Sequence, residues 1–108
     1  MNTFTEAPFS GKYWDHHDDG TYNCKHCGHP LFSSETKFDS NAGWPSFDET
    51  LPGATKERVD EDGVRIEISC AKCGTHLGHK FEGEGFTKRN VRHCINSVCL
   101  DFQPSSDR

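Results

Sequence analysis

A thiol between a permanent cation and an amide is the most reactive combination in this sequence. The three groups belong to Arg92, Cys94 and Asn96, which are separated by one residue each. A cation beside a thiol favours the thiolate, the nucleophilic form of cysteine. The alternative is that Cys94 is a small buried core residue, as most cysteines outside disulfides and metal sites are. The motif by itself leaves both interpretations open.

The element predicted to carry this motif is one β-strand from Val91 to Phe102. The run is rich in β-branched and apolar residues and contains no glycine or proline. Because side chains alternate faces along a strand, Arg92, Cys94 and Asn96 would share one face. The predicted strand therefore presents cation, thiol and amide together.

Four of the six cysteines form two identically spaced pairs. Each pair belongs to a Cys-x-x-Cys-Gly motif, at 24–28 and at 70–74. This spacing lets a tight turn aim two sulfurs at one ion, and the glycine lets the backbone fold around the metal–thiolate bonds. Two such motifs supply the closed tetrahedral shell of one structural zinc ion. The predicted zinc ligands are Cys24, Cys27, Cys70 and Cys73.

Composition explains what such a metal would add. The chain has 108 residues, of which 31% are hydrophobic and 27% charged, which is a thin core for an independent fold. Structural zinc contributes roughly 10–16 kcal/mol of apparent binding free energy in zinc-finger peptides, which would offset that core. We expect a single domain over residues 1–108, with flexible termini at 1–8 and 104–108.

Charge and cysteine usage limit the partners and the compartment. The formal net charge is -5 at pH 7, whereas nucleic-acid binding draws on Lys and Arg to neutralise phosphates. We therefore expect no nucleic-acid partner. The sequence contains no secretory signal, no run of transmembrane length and no heptad pattern, and its paired thiols suit a reducing compartment. We expect a cytoplasmic monomer that does not bind membranes.

Aromatic and imidazole groups lie between and after the cysteine pairs. Trp44 precedes Pro-Ser-Phe47, and a tryptophan fixed before a proline could form a wall for an apolar ligand or plug the core. His76 and His79 follow the second cysteine pair. Because four thiolates already saturate one zinc ion, an acid–base role suits these histidines better than metal binding.

Three other segments are predicted to build the scaffold. Alternating apolar and polar residues over 64–69 predict a half-buried strand that leads into the second cysteine pair. The turn residues at 60–63 predict a hairpin to a preceding strand at 54–59. The segment 11–17 is predicted to form a short helical turn, with its aromatics packed over the domain.

Taken in order, these motifs resemble the B-type methionine sulfoxide reductases, which reduce the R epimer of methionine sulfoxide. The matching motifs are Gly-Trp-Pro-Ser-Phe at 43–47, the two Cys-x-x-Cys-Gly motifs, His-Leu-Gly-His at 76–79 with Phe81, and Arg-x-Cys-Ile-Asn-Ser at 92–97. The resemblance extends from Phe9 to Phe102. It implies a mainly β fold, in which two antiparallel sheets form a small barrel-like or sandwich-like domain with zinc opposite the active site.

The resemblance also implies roles for individual residues. Cys94 would be the nucleophile, His76 and His79 the acid–base and polar groups around the sulfoxide oxygen, and Arg92 and Asn96 supporting groups. The implied substrate wall comprises Trp44, Phe47 and Phe81. Cys94 would become a sulfenic acid that thioredoxin or another thiol reduces. The alternative is a non-catalytic, zinc-stabilised module whose aromatic cage binds a small ligand or peptide, which would need neither the histidine motif nor the cysteine motif.

Two departures from the family pattern affect this expectation. Ala42 stands where many members carry the resolving cysteine, and Cys99 is the only other thiol outside the zinc motifs. In the predicted strand, Cys99 would face away from Cys94 at about 16 Å, beyond the roughly 7 Å limit for a disulfide, so an external reductant is expected. Gly83 replaces the family's acidic residue, for which Glu82 or Glu84 are the candidate substitutes.

Overall fold

Short antiparallel strands make up the fold. The structure, a computed structural model, describes residues 7–61, 63 and 65–105. Its strands are β1 (Gly20–Cys24), β2 (Pro30–Ser33), β3 (Lys37–Phe38), β4 (Ser46–Phe47), β5 (Thr55–Val59), β6 (Ile66–Cys70), β7 (His76–Glu82), β8 (Val91–Ile95) and β9 (Leu100–Pro104). Two 3₁₀ turns lie at Ser34–Thr36 and Ser97–Cys99. Over these ranges, no helix has the length and apolarity to cross a membrane.

The strands form two antiparallel sheets. One has the strand order β2-β1-β9, and the other has the order β3-β4-β8-β7-β6-β5. Phe32 on β2 stacks on Phe47 on β4, with ring centroids 4.2 Å apart, and Tyr22 on β1 contacts Phe47 edge-on. All three side chains are fully buried, so one core joins the two sheets. The predicted mainly β class with two antiparallel sheets is confirmed.

The prediction of one strand from Val91 to Phe102 is wrong. β8 ends at Ile95 in the six-stranded sheet, and β9 begins at Leu100 in the other. The backbone N–H of Asn96 still bonds to the Leu77 carbonyl at 2.9 Å, and the Cys99 N–H then closes the turn onto the Asn96 carbonyl at 3.0 Å. The chain therefore changes sheets directly after the predicted nucleophile, and strand alternation holds only as far as Ile95.

The segment 11–17 forms bends and a turn rather than the predicted short helix. The turn is closed by one hydrogen bond from the His16 N–H to the Tyr13 carbonyl, at 3.2 Å. Tyr13 is held by the rest of the fold, because its N–H donates to Ser97 Oγ at 3.0 Å and its ring packs edge-on against Tyr22. Tertiary contacts therefore fix this segment, and its aromatics do pack over the domain.

The predicted hairpin is confirmed between β5 and β6. The Asp60 N–H donates to the Arg65 carbonyl at 2.8 Å, and the Gly63 N–H donates to the Asp60 carbonyl at 2.9 Å. Asp62 and Val64 of this prediction lie outside the described residues.

The predicted flexible termini fall partly on residues 1–6 and 106–108, which also lie outside the described residues. At the C-terminal side, Pro104 pairs with Gly20 and the Ser105 N–H donates to the Asp19 carbonyl at 3.0 Å. The sheet therefore extends into the predicted tail.

Gly78 on β7 pairs with Ile95 on β8. A Cβ atom added at Gly78 would overlap the carbonyl oxygen of Cys94. The absence of a side chain, rather than glycine's freedom in φ, is therefore what this position requires.

We expect Gly78→Ala to lower the free energy of unfolding by about 3 kcal/mol, because the added methyl group must push β8 away from β7. Urea denaturation measures this loss. Gly53→Ala is the matched control, because Gly53 has a φ of 68° and open space around it. This variant should lose only the cost of placing alanine in a left-handed backbone conformation, about 1 kcal/mol. Equal losses in the two variants would contradict the close approach.

Candidate active site

Cys94 belongs to a row of side chains that crosses the six-stranded sheet. It lies opposite His79 on β7 and Ser46 on β4, and His79 in turn lies opposite Glu67 on β6. Directly opposed residues in an antiparallel pair project from the same face, with Cβ atoms about 4.5–5.5 Å apart. The structure therefore places the His79 imidazole beside the Cys94 thiol, on the same face of the sheet.

A β-bulge brings the second histidine to the same face. His76 and His79 are three residues apart, which would put them on opposite faces of a regular strand. Ile68 pairs with Gly78 while the next residue, Ser69, pairs with His76. Leu77 is thus an extra residue in β7 that resets the alternation. The centroids of the two imidazole rings therefore lie only 5.5 Å apart.

Each histidine is held by a carboxylate that the sequence did not single out. His76 Nδ1–H donates to Glu67 Oε2 at 2.8 Å, and His79 Nε2–H donates to Asp60 Oδ2 at 3.1 Å. All four side chains are at most 14% exposed. The alternation of apolar and polar residues in β6 predicts that Glu67 lies on the polar face of the strand. Only the structure shows that this face carries His79. Asp60 was assigned to the hairpin turn alone.

Glu67 is also bound by Arg58 from β5. Burial acts to raise the pKa of Glu67, but hydrogen bonds from His76 and Arg58 outweigh it, so the pKa is lowered. Glu67 is therefore an ionised acceptor that fixes His76 with its proton on Nδ1. The other nitrogen, His76 Nε2, is buried and has no hydrogen-bond partner within the described part of the chain. A buried polar atom without a partner is uncommon in folded proteins, and one explanation for it is a catalytic role.

Arg92 lies two residues before Cys94 on the same strand and face. Its guanidinium donates to both oxygens of Glu84, at 2.7 and 3.3 Å, and lies 4.7 Å from the ring centroid of Phe81. Partial burial acts to lower the pKa of Arg92, but Glu84 and the Cys94 sulfur outweigh it, so the pKa is raised. Arg92 is thus a fixed cation beside the thiol.

The two residues predicted to replace the acidic group at Gly83 pair with other side chains. Glu84 binds Arg92, and Glu82 lies 3.6 Å from the Lys80 ammonium. The carboxylate that contacts His79 belongs instead to Asp60, which follows β5 in the turn to β6.

Asn96 directly follows β8, and Trp44 lies shortly before β4. Asn96 is 3% exposed, and its side-chain amide donates to the Leu77 carbonyl at 3.2 Å, which ties the end of β8 to the bulge. Trp44 lies two residues before Ser46 and is partly exposed. Together with Trp14 it lines a cavity of about 90 Å³. Asn96 is thus held at the end of β8, and Trp44 forms part of a cavity wall.

Phe47 does not contribute to the predicted substrate wall. It pairs with His93, one residue away from the Ser46–Cys94 pair, and so projects from the opposite face into the core. Its side chain is fully buried against Phe32. Phe81 pairs with Arg92 and lies on the face of the sheet that carries Cys94.

Cys99 contacts the site from the 3₁₀ turn. Its thiol donates to the His76 carbonyl at 3.2 Å. The predicted distance of about 16 Å between Cys99 and Cys94 assumes one continuous strand. Because β8 ends at Ile95, that prediction no longer applies. None of the six cysteines, all of which are described, forms a disulfide.

The other four cysteines converge into one cluster. Cys24 Sγ lies 3.7 Å from Cys73 Sγ, and Cys27 Sγ lies 3.6 Å from Cys70 Sγ. All four sulfurs lie within 4.8 Å of one another. The structure thus positions these residues to bind a metal ion. None of the described histidines joins the cluster.

The two cysteine turns have the same geometry. The Gly28 N–H donates to the Cys24 carbonyl at 2.7 Å, and the Gly74 N–H donates to the Cys70 carbonyl at 2.9 Å. Both glycines have a positive φ, near 80°, which glycine adopts without strain. Cys24 ends β1 and Cys70 ends β6, so the cluster connects the two sheets. Cys70 and Glu67 project from opposite faces of β6, which places the cluster away from the row.

The sequence matches a known protein family and several known proteins. Residues 1–104 match the family model described as the SelR domain. Peptide methionine sulfoxide reductase B5 of Oryza sativa subsp. japonica is 56% identical over 103 residues, which cover 94% of this chain and 76% of that protein. Peptide methionine sulfoxide reductase MsrB of Variovorax paradoxus (strain S110) is 54% identical over 102 residues, which cover 92% and 74%.

Other relatives are longer or more distant. The chain spans about half of the chloroplastic peptide methionine sulfoxide reductase B2 of Arabidopsis thaliana, 51% of its length at 55% identity. Among solved structures, the Mis18 'Yippee-like' domain superposes with a TM-score of 0.61 at 12% identity, covering 83% of this chain and 100% of that one. At this identity, the superposition shows a shared fold alone.

The geometry defines a site in which a cysteine thiol lies on one face of a β-sheet together with two histidines that are each anchored by a carboxylate. The chain belongs to the SelR domain family, that of the B-type methionine sulfoxide reductases. The resemblance noted from the sequence is confirmed.

The lowered pKa of Glu67 predicts a pH-dependent contribution to stability. A carboxyl whose folded pKa lies below the unfolded value of about 4.3 stabilises the fold fully above that value, and loses its contribution as the pH falls through the folded pKa. We expect Glu67→Gln to lower the free energy of unfolding by about 2 kcal/mol near pH 6, and we expect this difference from the wild type to shrink below about pH 4. Urea denaturation across this range measures it.

Glu57→Gln is the matched control for this prediction. It removes an exposed carboxylate that pairs with Lys80 at 3.1 Å, which should cost less than about 1 kcal/mol throughout the range. A difference between wild type and Glu67→Gln that stays constant down to about pH 3 would contradict the assigned role of the Glu67 charge.

Proposed function

We propose that this protein is a peptide-methionine (R)-S-oxide reductase, which returns methionine-R-sulfoxide in oxidised proteins to methionine. The observation that carries the proposal is the pairing of Cys94 with His79 in a SelR chain, with His76 on the same face through the bulge. A thiol, a fixed cation and two anchored imidazoles are the groups that this reaction needs.

The reaction begins when the Cys94 thiolate, favoured by Arg92, attacks the sulfoxide sulfur. That sulfur is electrophilic only if its oxygen accepts a proton or a strong hydrogen bond. The anchored histidines supply it in the imidazolium form, in which one N–H is held by a carboxylate and the other N–H donates to the sulfoxide oxygen. The unsatisfied His76 Nε2 supports this assignment.

Oxygen then transfers from the substrate to Cys94. The sulfur–sulfur bond formed in the attack and the sulfur–oxygen bond of the sulfoxide both break, methionine leaves, and Cys94 holds the oxygen and its proton as a sulfenic acid. The substrate sulfur is reduced by two electrons and the Cys94 sulfur is oxidised by two. Trp44 and Phe81 would hold the methyl-bearing side of the substrate, with Asn96 fixing the strand end beside them.

Two external thiol equivalents complete the cycle. The first condenses with the sulfenic acid to form a mixed disulfide and water, and the second releases Cys94 as a thiol. Thioredoxin or another thiol reductant fills this role in the proposal. Ala42 supports external reduction, because the usual resolving position carries no sulfur. A reducing compartment, the cytoplasm, follows as part of the same proposal.

Zinc is the metal that we propose for the cysteine cluster. Four thiolates at zinc–sulfur distances of about 2.3 Å lie roughly 3.8 Å apart in a tetrahedron, and the measured separations of 3.6 and 3.7 Å fit this value. Burial raises the pKa of the Cys24 thiol to about 12, so a cation is needed to hold it as a thiolate. The ion would be structural, since four thiolates leave no open position.

The non-catalytic aromatic-cage module is the weaker alternative. The cavity beside Trp14 and Trp44 could hold a small ligand, but such a module has no use for a thiol beside anchored histidines. The chemistry of the row therefore favours the enzyme.

We expect single turnover of resolved epimers, without added reductant, to give one methionine per chain from the R sulfoxide and none from the S sulfoxide. Cys94→Ser should lower this yield to background, because a hydroxyl is a far weaker nucleophile than a thiolate. Mass spectrometry with a sulfenic-acid trap then measures the oxidation state of Cys94.

Cys99→Ser is the control for this experiment and should trap the same sulfenic acid as the wild type. A Cys94–Cys99 disulfide in the wild type would show internal rather than external resolution. Methionine formed by Cys94→Ser would refute the mechanism.

We expect the purified protein to carry one zinc ion, and Cys70→Ser to lose it together with several kcal/mol of stability. Elemental analysis and thermal unfolding measure the two effects. Cys94→Ser is the matched substitution, because it should retain the metal and the melting temperature. A stable, metal-free Cys70→Ser protein would contradict a structural role for the ion.

A further inference from the structure

We propose that Asp60 is the positioning residue for His79, and that it takes over the task of the acidic group absent at Gly83. This inference deepens the proposed function and rests on it for its catalytic consequence. The carboxylate is supplied across the sheet by the β5–β6 hairpin, rather than by the β7–β8 segment that carries the histidine.

Asp60 is rigidly placed for this task. Its backbone is fixed in the hairpin by hydrogen bonds on both sides, from its own N–H to Arg65 and from Gly63 to its carbonyl. Its side chain is 14% exposed and lies 3.1 Å from His79 Nε2. The Arg65 Nε atom is farther away, at 3.7 Å from the same carboxylate oxygen. The histidine is therefore the nearer partner.

The contact sets the proton position on His79. An ionised carboxylate only accepts hydrogen bonds, so the proton of the neutral ring must be on Nε2. This leaves Nδ1 as the nitrogen available to the substrate. His76 is held through its other ring nitrogen, because its Nδ1–H donates to Glu67. Two neighbouring histidines are thus fixed through different nitrogens, and each can donate to the sulfoxide oxygen from its second nitrogen when the ring is protonated to the imidazolium.

The nearer acidic residues in sequence cannot do the same. Glu84 is committed to Arg92 through two hydrogen bonds, and Glu82 lies beside Lys80 at the exposed end of β7. Glu67 lies directly opposite His79 in the register, yet its oxygens bind His76 and Arg58. Asp60 is the remaining carboxylate that the structure places on this imidazole.

The first test uses the wild type alone. ¹⁵N NMR at about pH 8.5, where an ordinary imidazole is neutral, should show His79 protonated on Nε2. In Asp60→Asn, whose amide can donate as well as accept, we expect the signal to change towards a mixture of tautomers. Protonation of His79 on Nδ1 in the wild type would overturn the assignment, whatever the variants do.

The second test is steady-state kinetics with methionine-R-sulfoxide and a chemical thiol. Asp60→Asn should lower kcat by about 10–100-fold with little change in KM, because the substrate still binds while the proton donor is misplaced. Asp60→Glu keeps the carboxylate and should restore part of the loss. Glu82→Gln, which removes an exposed carboxylate from β7, is the matched control and should keep the wild-type kcat.

The outcomes separate this inference from the proposed function. A kcat for Asp60→Asn within twofold of the wild type, with the His79 tautomer unchanged, would mean that Asp60 only secures the hairpin. A lower melting temperature with normal kcat per folded molecule would mean the same. If the wild type reduces neither epimer, the proposed function fails, while the tautomer still decides whether Asp60 positions His79.

Discussion

The pairing of β7 with β8 is the interaction on which the rest of the site depends. It sets His79 opposite Cys94 and Phe81 opposite Arg92, at a strand separation that only Gly78 permits. A slip of one residue would turn the thiol into the core and bring His93 to the site face. The bulge at Leu77 then adds the second imidazole to a row that register alone would leave with one. Strand geometry, more than any loop, therefore decides which groups meet.

Features encoded by neighbouring residues were predictable from the sequence. The cysteine pairs, the hairpin and the first half of the Cys94 strand each follow from a local spacing or alternation. The break after Ile95 was not predictable in this way, because the β-forming run continues through the point at which the chain changes sheets. That break is held by remote partners: Leu77 receives the Asn96 N–H, and the Lys25 N–H reaches the Cys99 carbonyl at 2.9 Å.

The carboxylates of the site were missed for a related reason. Alternation correctly separates the two faces of β6 but cannot tell a polar face that meets solvent from one that meets a substrate. Glu67 and Asp60 become recognisable only when the register brings β5, β6 and β7 side by side. Phe47 shows the converse error, since this aromatic residue, three positions after Trp44, proves to face the core. Motifs identify the reacting groups, whereas the groups that orient them come from distant parts of the chain.

The pairing of β1 with β9 has a consequence for how the molecule assembles. These strands meet although their residues are about 80 positions apart, as in the Asn23–Gln103 contact. Contacts so remote in sequence close late and slow the search for the native state. During synthesis, Cys24 and Cys27 must wait for Cys70 and Cys73 before the cluster is complete. The first cysteine pair of the nascent protein therefore remains without its metal-site partners until the second pair has been made.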